Sequence, residues 1–545
     1  MITSYLRVAL VLPPVQSFLM PYAAPAVLAS SLKERYAAET LVVDCGIEWL
    51  WSEVAAQGDM AASEMLSKLQ HSETYSDALS LRSAFLQAEQ ILQNICQPWA
   101  PELVHLSGRY EPPAHYTNWE EVDRSLSLTR HRLFDRYFQR ELIPKLRRMQ
   151  PQIIGLSIPF DWMVWPAMRL ARWLRRCIPD TEIIVAGHAI QRLWHEGEAE
   201  FFNTICAHWA AVGDSKQALM DLVEFLSSGD SPLEESPLIR LPLKGSPLRP
   251  SFQESKSYAG ASVPDFSDLE LARYLRPQPI LPIPSSDGCF FGRCRFCSRQ
   301  RSDQNIPYVE RSSIDVAESM KRLADQTGTK QFILAGDILS HRFLLSLAQA
   351  LEREGFTWFC LSTFKGAMAR RLSQEDCHLL YRGGCRLILN GLESGSARIR
   401  ELMGCPTDQD DYDRTLTQLV SAGITPYVTI IFGYPGETIA DLMETVSYIQ
   451  ERLNHVVFAA SHFQLVPGTP LSQKLLSQPG AVYCQKSVLE GGLECQGPGV
   501  AKREMIDRVL DRELRGMFGS FPEFLRSIPV MMQLLTDTSR PPLTT

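Results

Sequence analysis

The chain has 545 residues, 45% hydrophobic and 21% charged, with a formal net charge of −8. That length exceeds what one hydrophobic core serves, so two or three domains are expected, and the negative balance gives no electrostatic pull toward nucleic acid. No apolar run reaches the roughly 18 residues of a membrane span, and the 13 cysteines without a secretion signal favour metal binding over a disulfide scaffold.

The first region, residues 1–228, opens on Val8–Leu12, which is too short for a signal sequence and reads as a strand ending in Pro13-Pro14. A soluble, cytoplasmic protein without membrane association is therefore expected. A helical pattern follows over Ala26–Tyr36, then a strand over Leu41–Val43 ending at Asp44. Residues 50–145 look helical and interrupt the pattern as an insertion. Ile153–Ile158, Ile183–Val185 and Ala210–Val212 are further strands, separated by the helical pattern Ala167–Cys177 and followed by Lys216–Leu226. Strands alternating with helices predict a doubly wound parallel sheet, whose ligands sit at the carboxyl ends of the strands. The basic runs Arg130–Arg140 and Arg169–Arg176 alternate with apolar residues and read as solvated helix faces.

Residues 229–284 are rich in Pro and Ser and read as a linker, carrying one short helix over "VPDFSDLELARYL". Residues 285–470 alternate again. Gln331–Leu334, Trp358–Leu361, Arg386–Leu389, Tyr427–Phe432 and His462–Val466 read as strands with helical patterns between them. Five or six such units predict a full or partial parallel barrel with its active residues after the strands. The tail, 471–545, reads as mostly helical.

Cys289, Cys294 and Cys297 fall in one tight loop before the first barrel helix. Iron–sulfur clusters are normally held by four thiolates, so three leave one iron open for reaction. A structural zinc site would need a fourth Cys or His nearby, and the nearest downstream histidine is His341. The other ten cysteines are scattered and read as small core residues.

With Phe296 before the last cysteine, this loop resembles the radical S-adenosylmethionine (radical SAM) family, although four residues separate Cys289 from Cys294 where three are usual. The resemblance implies a [4Fe–4S] cluster on these cysteines and a partial (β/α)6 barrel. Gly336 and Asp337 then resemble the family's contact with the S-adenosylmethionine amino group, and Glu393-Ser394 its hold on the ribose and methionine. "TIIFGYPGET", with Gly433, resembles the turn near the adenine, and "FQLVPGTPL" the strand that closes the barrel.

No Gly-x-Gly-x-x-Gly follows the first strand, so the first region is not expected to bind NAD. It resembles instead the Rossmann-like cobalamin-binding domain that precedes many radical SAM barrels, on "VALVLPP", "IIGLSIPF", "IIVAGHAI" and "AVGDSKQAL". The implied cobalamin contacts are Pro13, Pro14, Ser157, Pro159, Gly187, Gly213 and Asp214. No Asp-x-His-x-x-Gly is present, which implies cobalt without a lower histidine ligand. Together these resemblances imply a cobalamin-dependent (class B) C-methyltransferase acting on an unactivated carbon of a peptide or natural-product substrate. An electron donor such as flavodoxin or ferredoxin would serve it. Arg299, Lys365 and Tyr434 are candidate substrate contacts, though each also reads as a surface residue. A cobalamin-containing cyclase or ring-rearranging enzyme would use the same residues, and a non-catalytic binding protein is a third class.

Overall fold

Strands buried on both faces read as unbroken apolar runs, and two such groups of strands build this molecule. The computed structural model describes residues 6–228, 236–242, 262–300, 308–365, 372–477, 482–484, 487–489, 494–496 and 503–518. The first sheet has the spatial order Glu39–Asp44, Arg7–Leu12, Ile153–Ser157, Glu182–Ala186, Trp209–Ala211, Leu238–Arg240. Its first five strands are parallel and the sixth antiparallel. The order reverses between Arg7–Leu12 and Ile153–Ser157, which is where an open sheet of this kind has its ligand crevice.

Leu238–Arg240 lies in the stretch expected to be linker; it adds an antiparallel strand at the edge of the sheet. The insertion is helical over Cys45–Gln57, Met60–Lys68, Ala78–Cys96, Trp119–Ser125 and Ile143–Met149, with one small hairpin, Leu103–Val104 against Tyr110–Glu111. Arg169 overturns the expectation of a solvated face. It is fully buried, bonds both oxygens of Asp135, and donates to the carbonyls of Leu126, Ser127 and Arg130. The helix Val164–Cys177 thereby clasps the insertion.

The second sheet is six parallel strands in chain order: Ile280–Pro284, Gln331–Ala335, Thr357–Leu361, Cys385–Glu393, Thr425–Phe432 and Val457–His462. Its first strand lies at the end of the Pro- and Ser-rich stretch expected to be linker, and it contains Pro282 and Pro284. Proline is tolerated there because the strand is at the edge and pairs on one side only. The last strand is Val457–His462, not His462–Val466. Phe463 and Leu465 lie beyond it and pack with Ile399, Met403 and Tyr434.

"VPDFSDLELARYL" forms no regular helix among the described residues, only the 3-10 turn Leu271–Arg273. Its acidic side chains bond elsewhere: Asp265 pairs with Lys33 at 2.6 Å, and Asp268 accepts from the Val42 amide at 2.9 Å. Such bonds compete with a helix. Within the same segment, the Tyr274 hydroxyl donates to Asp44 Oδ2 at 2.8 Å, tying this connector to the end of the strand Glu39–Asp44.

One face of the second sheet joins the core of the first. Ile280, Ile333, Phe359, Leu387, Tyr427 and Val457, one from each strand, pack in the same apolar cluster as Ala9, Leu156 and Val185. The other face carries Leu281, Phe332, Trp358, Ile388, Val428 and Phe458, covered by residues such as Met320, Leu347 and Val446 of the intervening helices.

Candidate active site

The chain leaves the strand Ile280–Pro284 at its carboxyl end and enters the cysteine loop directly. The loop is held by its backbone. The Arg295 amide donates to the Met403 carbonyl at 2.8 Å, and the Arg295 carbonyl accepts from the Leu471 amide at 3.0 Å. The Cys297 amide closes a turn onto the Cys294 carbonyl at 3.1 Å. Phe296 packs edge-on to Tyr434, ring centroids 6.3 Å apart, and the Tyr434 hydroxyl donates to the Leu402 carbonyl at 3.1 Å. Gly404 permits the crossing of the two segments: its φ is +77°, and a Cβ there would lie 2.6 Å from the Arg293 carbonyl oxygen.

All three thiols are half-buried. Burial pushes the Cys289 thiol up and the Cys297 thiol to about 11. A hydrogen bond to the Cys405 thiol, and then burial, raises Cys294. Protonated thiols do not bind metal; a bound cation reverses the preference and holds them as thiolates. Among the described residues, no three His, Cys, Asp or Glu side chains converge as ligands of a single metal ion do. A four-iron cluster does not ask for that convergence, because its protein ligands bind different irons.

The next strand ends at Gly336-Asp337. Gly336 has φ +147°, and a Cβ would meet the Ser286 carbonyl oxygen at 2.5 Å, so only glycine lets this turn lie against the start of the cysteine loop. Asp337 grips Arg299 through two contacts, Nε–Oδ1 at 3.1 Å and Nη2–Oδ2 at 3.0 Å.

Glu393 ends the fourth strand with φ +74°, in a region non-glycine residues seldom occupy. The register with Thr425–Phe432 slips there, between Gly391 and Glu393. The carboxylate folds back over Gly391, where a Cβ would lie 1.9 Å from Oε1, and meets Lys365 Nζ at 3.0 Å. Burial works to lower the Lys365 ammonium, but the Glu393 charge and the nearby thiols hold it above its ordinary value. Lys365 also lies 5.7 Å from the Phe291 ring centroid, on the cysteine loop. Lys365 and Tyr434 are thus buried, not surface residues.

Ser394 is fully buried, its hydroxyl 3.0 Å from that of Thr445 and accepting from the Ser396 amide at 3.2 Å. The Gly433 amide donates to Glu437 Oε2 at 2.5 Å, and burial pushes the Glu437 carboxyl up to about 7.

At the first sheet, Pro13, Pro14 and Pro159 are buried, while Ser157, Gly187, Gly213 and Asp214 are half-buried at the strand ends. Gly187 has φ +122°, and a Cβ would stand 2.5 Å from the Ile158 carbonyl oxygen. Asp214 Oδ1 accepts from the amides of Lys216 and Gln217 at 2.9 and 3.1 Å, so it caps the helix Ser215–Ser228. Burial raises its carboxyl above the ordinary range. Two features escape a reading of the sequence. Cys405 packs against Cys294 in one small cluster, and no local spacing announces it. The bond from Tyr274 to Asp44 likewise joins positions far apart in the chain.

Residues 283–449 match the model of the radical SAM superfamily. They form a radical SAM domain. Over 320 residues the chain is 22% identical to an uncharacterized methyltransferase of Pyrococcus horikoshii, an alignment covering 56% of this chain and 65% of that one. It superposes on OxsB, a cobalamin-dependent S-adenosylmethionine radical enzyme solved with aqua-cobalamin and S-adenosylmethionine, with a TM-score of 0.57 and 13% identity. That match covers 87% of this chain and 61% of OxsB. TsrM, a radical S-adenosylmethionine methyltransferase from Kitasatospora setae solved with cobalamin and a [4Fe–4S] cluster, gives a TM-score of 0.56 and 15% identity. Here 98% of this chain and 92% of TsrM are covered. The chain thus spans less than two thirds of the Pyrococcus protein and of OxsB. At these identities the two structures establish a shared fold.

A radical SAM domain takes a [4Fe–4S] cluster and S-adenosylmethionine, and the chemistry of this rim fits both. Three thiols on one anchored loop can ligate iron, and carboxylates with a buried ammonium beside them can meet a zwitterionic amino acid. No described helix is long and apolar enough to cross a membrane.

Proposed function

We propose that the protein is a cobalamin-dependent radical SAM C-methyltransferase, acting on an unactivated carbon of a peptide or other natural product. The observation that carries this reading is the placement of Cys289, Cys294 and Cys297 at the carboxyl end of a six-stranded parallel sheet, beside Asp337, Lys365 and Glu393. A second parallel sheet stands ahead of it in the chain, with the strand reversal that open sheets use for ligands. Likeness to cobalamin-bearing enzymes over most of the chain supports the cobalamin half.

In this reading the division of domains is 1–228 for cobalamin, 229–284 as connector, 285–470 for the radical SAM barrel, and 471–545 as a C-terminal extension. The three cysteines hold the cluster, with its fourth iron left to the substrate S-adenosylmethionine. Gly336 and Asp337 meet the cofactor's amino group, Glu393 and Ser394 hold its ribose and methionine part, Phe296 packs the loop, and Gly433 forms the turn near the adenine. Pro13, Pro14, Ser157, Pro159, Gly187, Gly213 and Asp214 line the cobalamin site. When bound, the cluster supplies an electron and the corrinoid a methyl group; the protein supplies orientation and excludes water and oxygen. The electron itself comes from a partner such as flavodoxin or ferredoxin.

Anaerobic purification with iron, sulfide and hydroxocobalamin, followed by spectra of both cofactors, tests the reading. Wild type should hold both, and a Cys289→Ala, Cys294→Ala, Cys297→Ala triple variant only the corrinoid. Turnover should yield S-adenosylhomocysteine and 5′-deoxyadenosine together. 5′-Deoxyadenosine alone would convert the assignment to a cyclase or rearranging enzyme, and a cluster without bound corrinoid would remove the cobalamin half.

A further inference from the structure

Arg400 sits on the helix Ala397–Leu402 and is fully buried, yet its hydrogen bonds go to neutral acceptors. Its Nη1 turns back along its own chain and donates to the carbonyls of Ser394 at 2.8 Å and Gly395 at 2.9 Å. Its Nε has no hydrogen-bond partner among the described residues. Asp413 is the carboxylate whose charge reaches it, and Asp413 is paired with Arg452 at 2.8 Å. A buried guanidinium with no carboxylate bonded to it carries a desolvation penalty that an apolar side chain would not. What the charge does there is hold two carbonyls.

Those carbonyls belong to the turn that follows Glu393, the residue at φ +74° where the register with the neighbouring strand slips. Other bonds pin the same turn. The Gly395 amide donates to Thr445 Oγ1 at 3.0 Å, and Ser396 Oγ donates to Asp441 Oδ1 at 2.7 Å. A Cβ on Gly395 would lie 2.6 Å from Thr445 Cα, so the turn is pressed onto the helix Ile439–Arg452. A strained backbone conformation persists only where its surroundings fix it. Arg400 fixes the carbonyls of this turn, and Thr445 and Asp441 fix its amide and hydroxyl.

We propose that Arg400 is a positioning residue: by holding the carbonyls of Ser394 and Gly395 it keeps Glu393 in its strained conformation, with the carboxylate aimed at the rim that takes S-adenosylmethionine. This rests on the reading of Glu393 and Ser394 as the hold on the ribose and methionine part. Arg400 acts from behind the turn, through the main chain. Without it the two carbonyls lose their donor, the turn relaxes, and the carboxylate no longer keeps one position.

The test compares the full-length wild type with Arg400→Met, Arg400→Lys and Thr445→Val, the last removing the hydroxyl under Gly395 while keeping a branched side chain. Hydrogen exchange is followed in peptides covering residues 393–396 of the cofactor-free proteins. After anaerobic reconstitution, iron and sulfide are counted, and S-adenosylmethionine binding is measured by equilibrium dialysis on the oxidised proteins, where no cleavage occurs. Cleavage under dithionite then gives KM and kcat. Arg400→Met should exchange faster at this turn and carry the same iron and sulfide as wild type. It should bind S-adenosylmethionine about tenfold more weakly, the order that hydrogen bonds from a charged donor are worth. KM should rise while kcat stays near wild type. Arg400→Lys, which keeps a donor, should recover part of the affinity, and Thr445→Val should weaken it. Wild-type affinity in Arg400→Met overturns the proposal, and so does a fall in kcat at unchanged KM. If Arg400→Met does not fold, wild-type affinity in both Arg400→Lys and Thr445→Val overturns it. Glu393→Gln tests the underlying reading separately and should also bind S-adenosylmethionine more weakly. Wild-type affinity in Glu393→Gln defeats that reading, and this inference with it; weakened binding there with wild-type affinity in Arg400→Met strikes this inference alone.

Discussion

Lys365 Nζ and Glu393 Oε1 stand 3.0 Å apart at the carboxyl end of the second sheet, and both side chains are nearly out of solvent, at 4% and 12% exposure. Each is the other's countercharge beside the cysteine loop. Removing one partner of a buried pair leaves an uncompensated charge, at a cost of about 3 kcal/mol. Lys365→Met should destabilise the cofactor-free protein by about that amount in urea denaturation, while Lys365→Met with Glu393→Leu should lose less than the single variant. If the single and double variants match, the pair does not balance charge.

Gly187 makes the turn from the strand Glu182–Ala186 into the helix His188–His195 against Ile158, since any Cβ would sit 2.5 Å from the Ile158 carbonyl oxygen at a φ of +122°. Gly187→Ala must push the two strand ends apart, a strain on the order of 1–3 kcal/mol. The expected outcome is a protein that still takes up iron and sulfide but has lost its corrinoid absorption. Full corrinoid retention would place the cofactor elsewhere.

Asp44 gives a pH dependence whose sign can be worked out. Burial pushes its carboxyl up to about 6, against the bonds from Tyr274, Gly46 and Ile47 that favour the charged form. The folded protein therefore holds this proton more tightly than the unfolded chain, whose carboxyl titrates near 3.8. Stability from this group falls as pH rises from about 4 to 6, and above that the cost is constant at about 3 kcal/mol. Asp44→Asn should be more stable relative to wild type at pH 7.5 than at pH 4, as read by urea midpoints at the two pH values. A difference that does not change with pH would mean that Asp44 does not titrate in that window.

Arg169 and Asp135 are each 1% exposed and clasp the insertion to the first sheet's helix, with Trp173 Nε1 donating to Asp135 Oδ1 at 2.8 Å. Arg169→Met strands the Asp135 charge and three backbone carbonyls, and a loss of about 3–5 kcal/mol is expected. Hydrogen exchange should show the effect first as lost protection in the helix Val164–Cys177 and in residues 119–149. Unchanged protection there would show that the clasp is dispensable.

The sequence reading succeeds where chemistry is written locally. Three cysteines in nine residues, and apolar runs ending in Pro, Gly or Asp, locate the loop and most strands of both sheets. It fails where partners are distant. Ile280–Pro284 looks like linker because it ends a Pro- and Ser-rich stretch, and its two prolines are admitted only by an edge position in the sheet. Arg169 looks like a surface residue because nothing near it announces Asp135. Cys405 looks like one more small core residue, since its neighbour Cys294 is brought to it by a glycine turn far along the chain. Buried polar pairs between segments distant in the chain are invisible to periodicity.

The shared core has a mechanical consequence. Six side chains, one from each strand of the second sheet, pack in the same apolar mass as the first sheet, four of them buried and Ile333 and Val457 partly so. Swinging the two halves apart would wet that whole face, at roughly 25 cal/mol for each Å² of apolar area exposed. A hinge is therefore a poor way for this molecule to admit its reactants. Traffic must pass around the rims of the sheets, through the loops, while the frame that carries them stays shut.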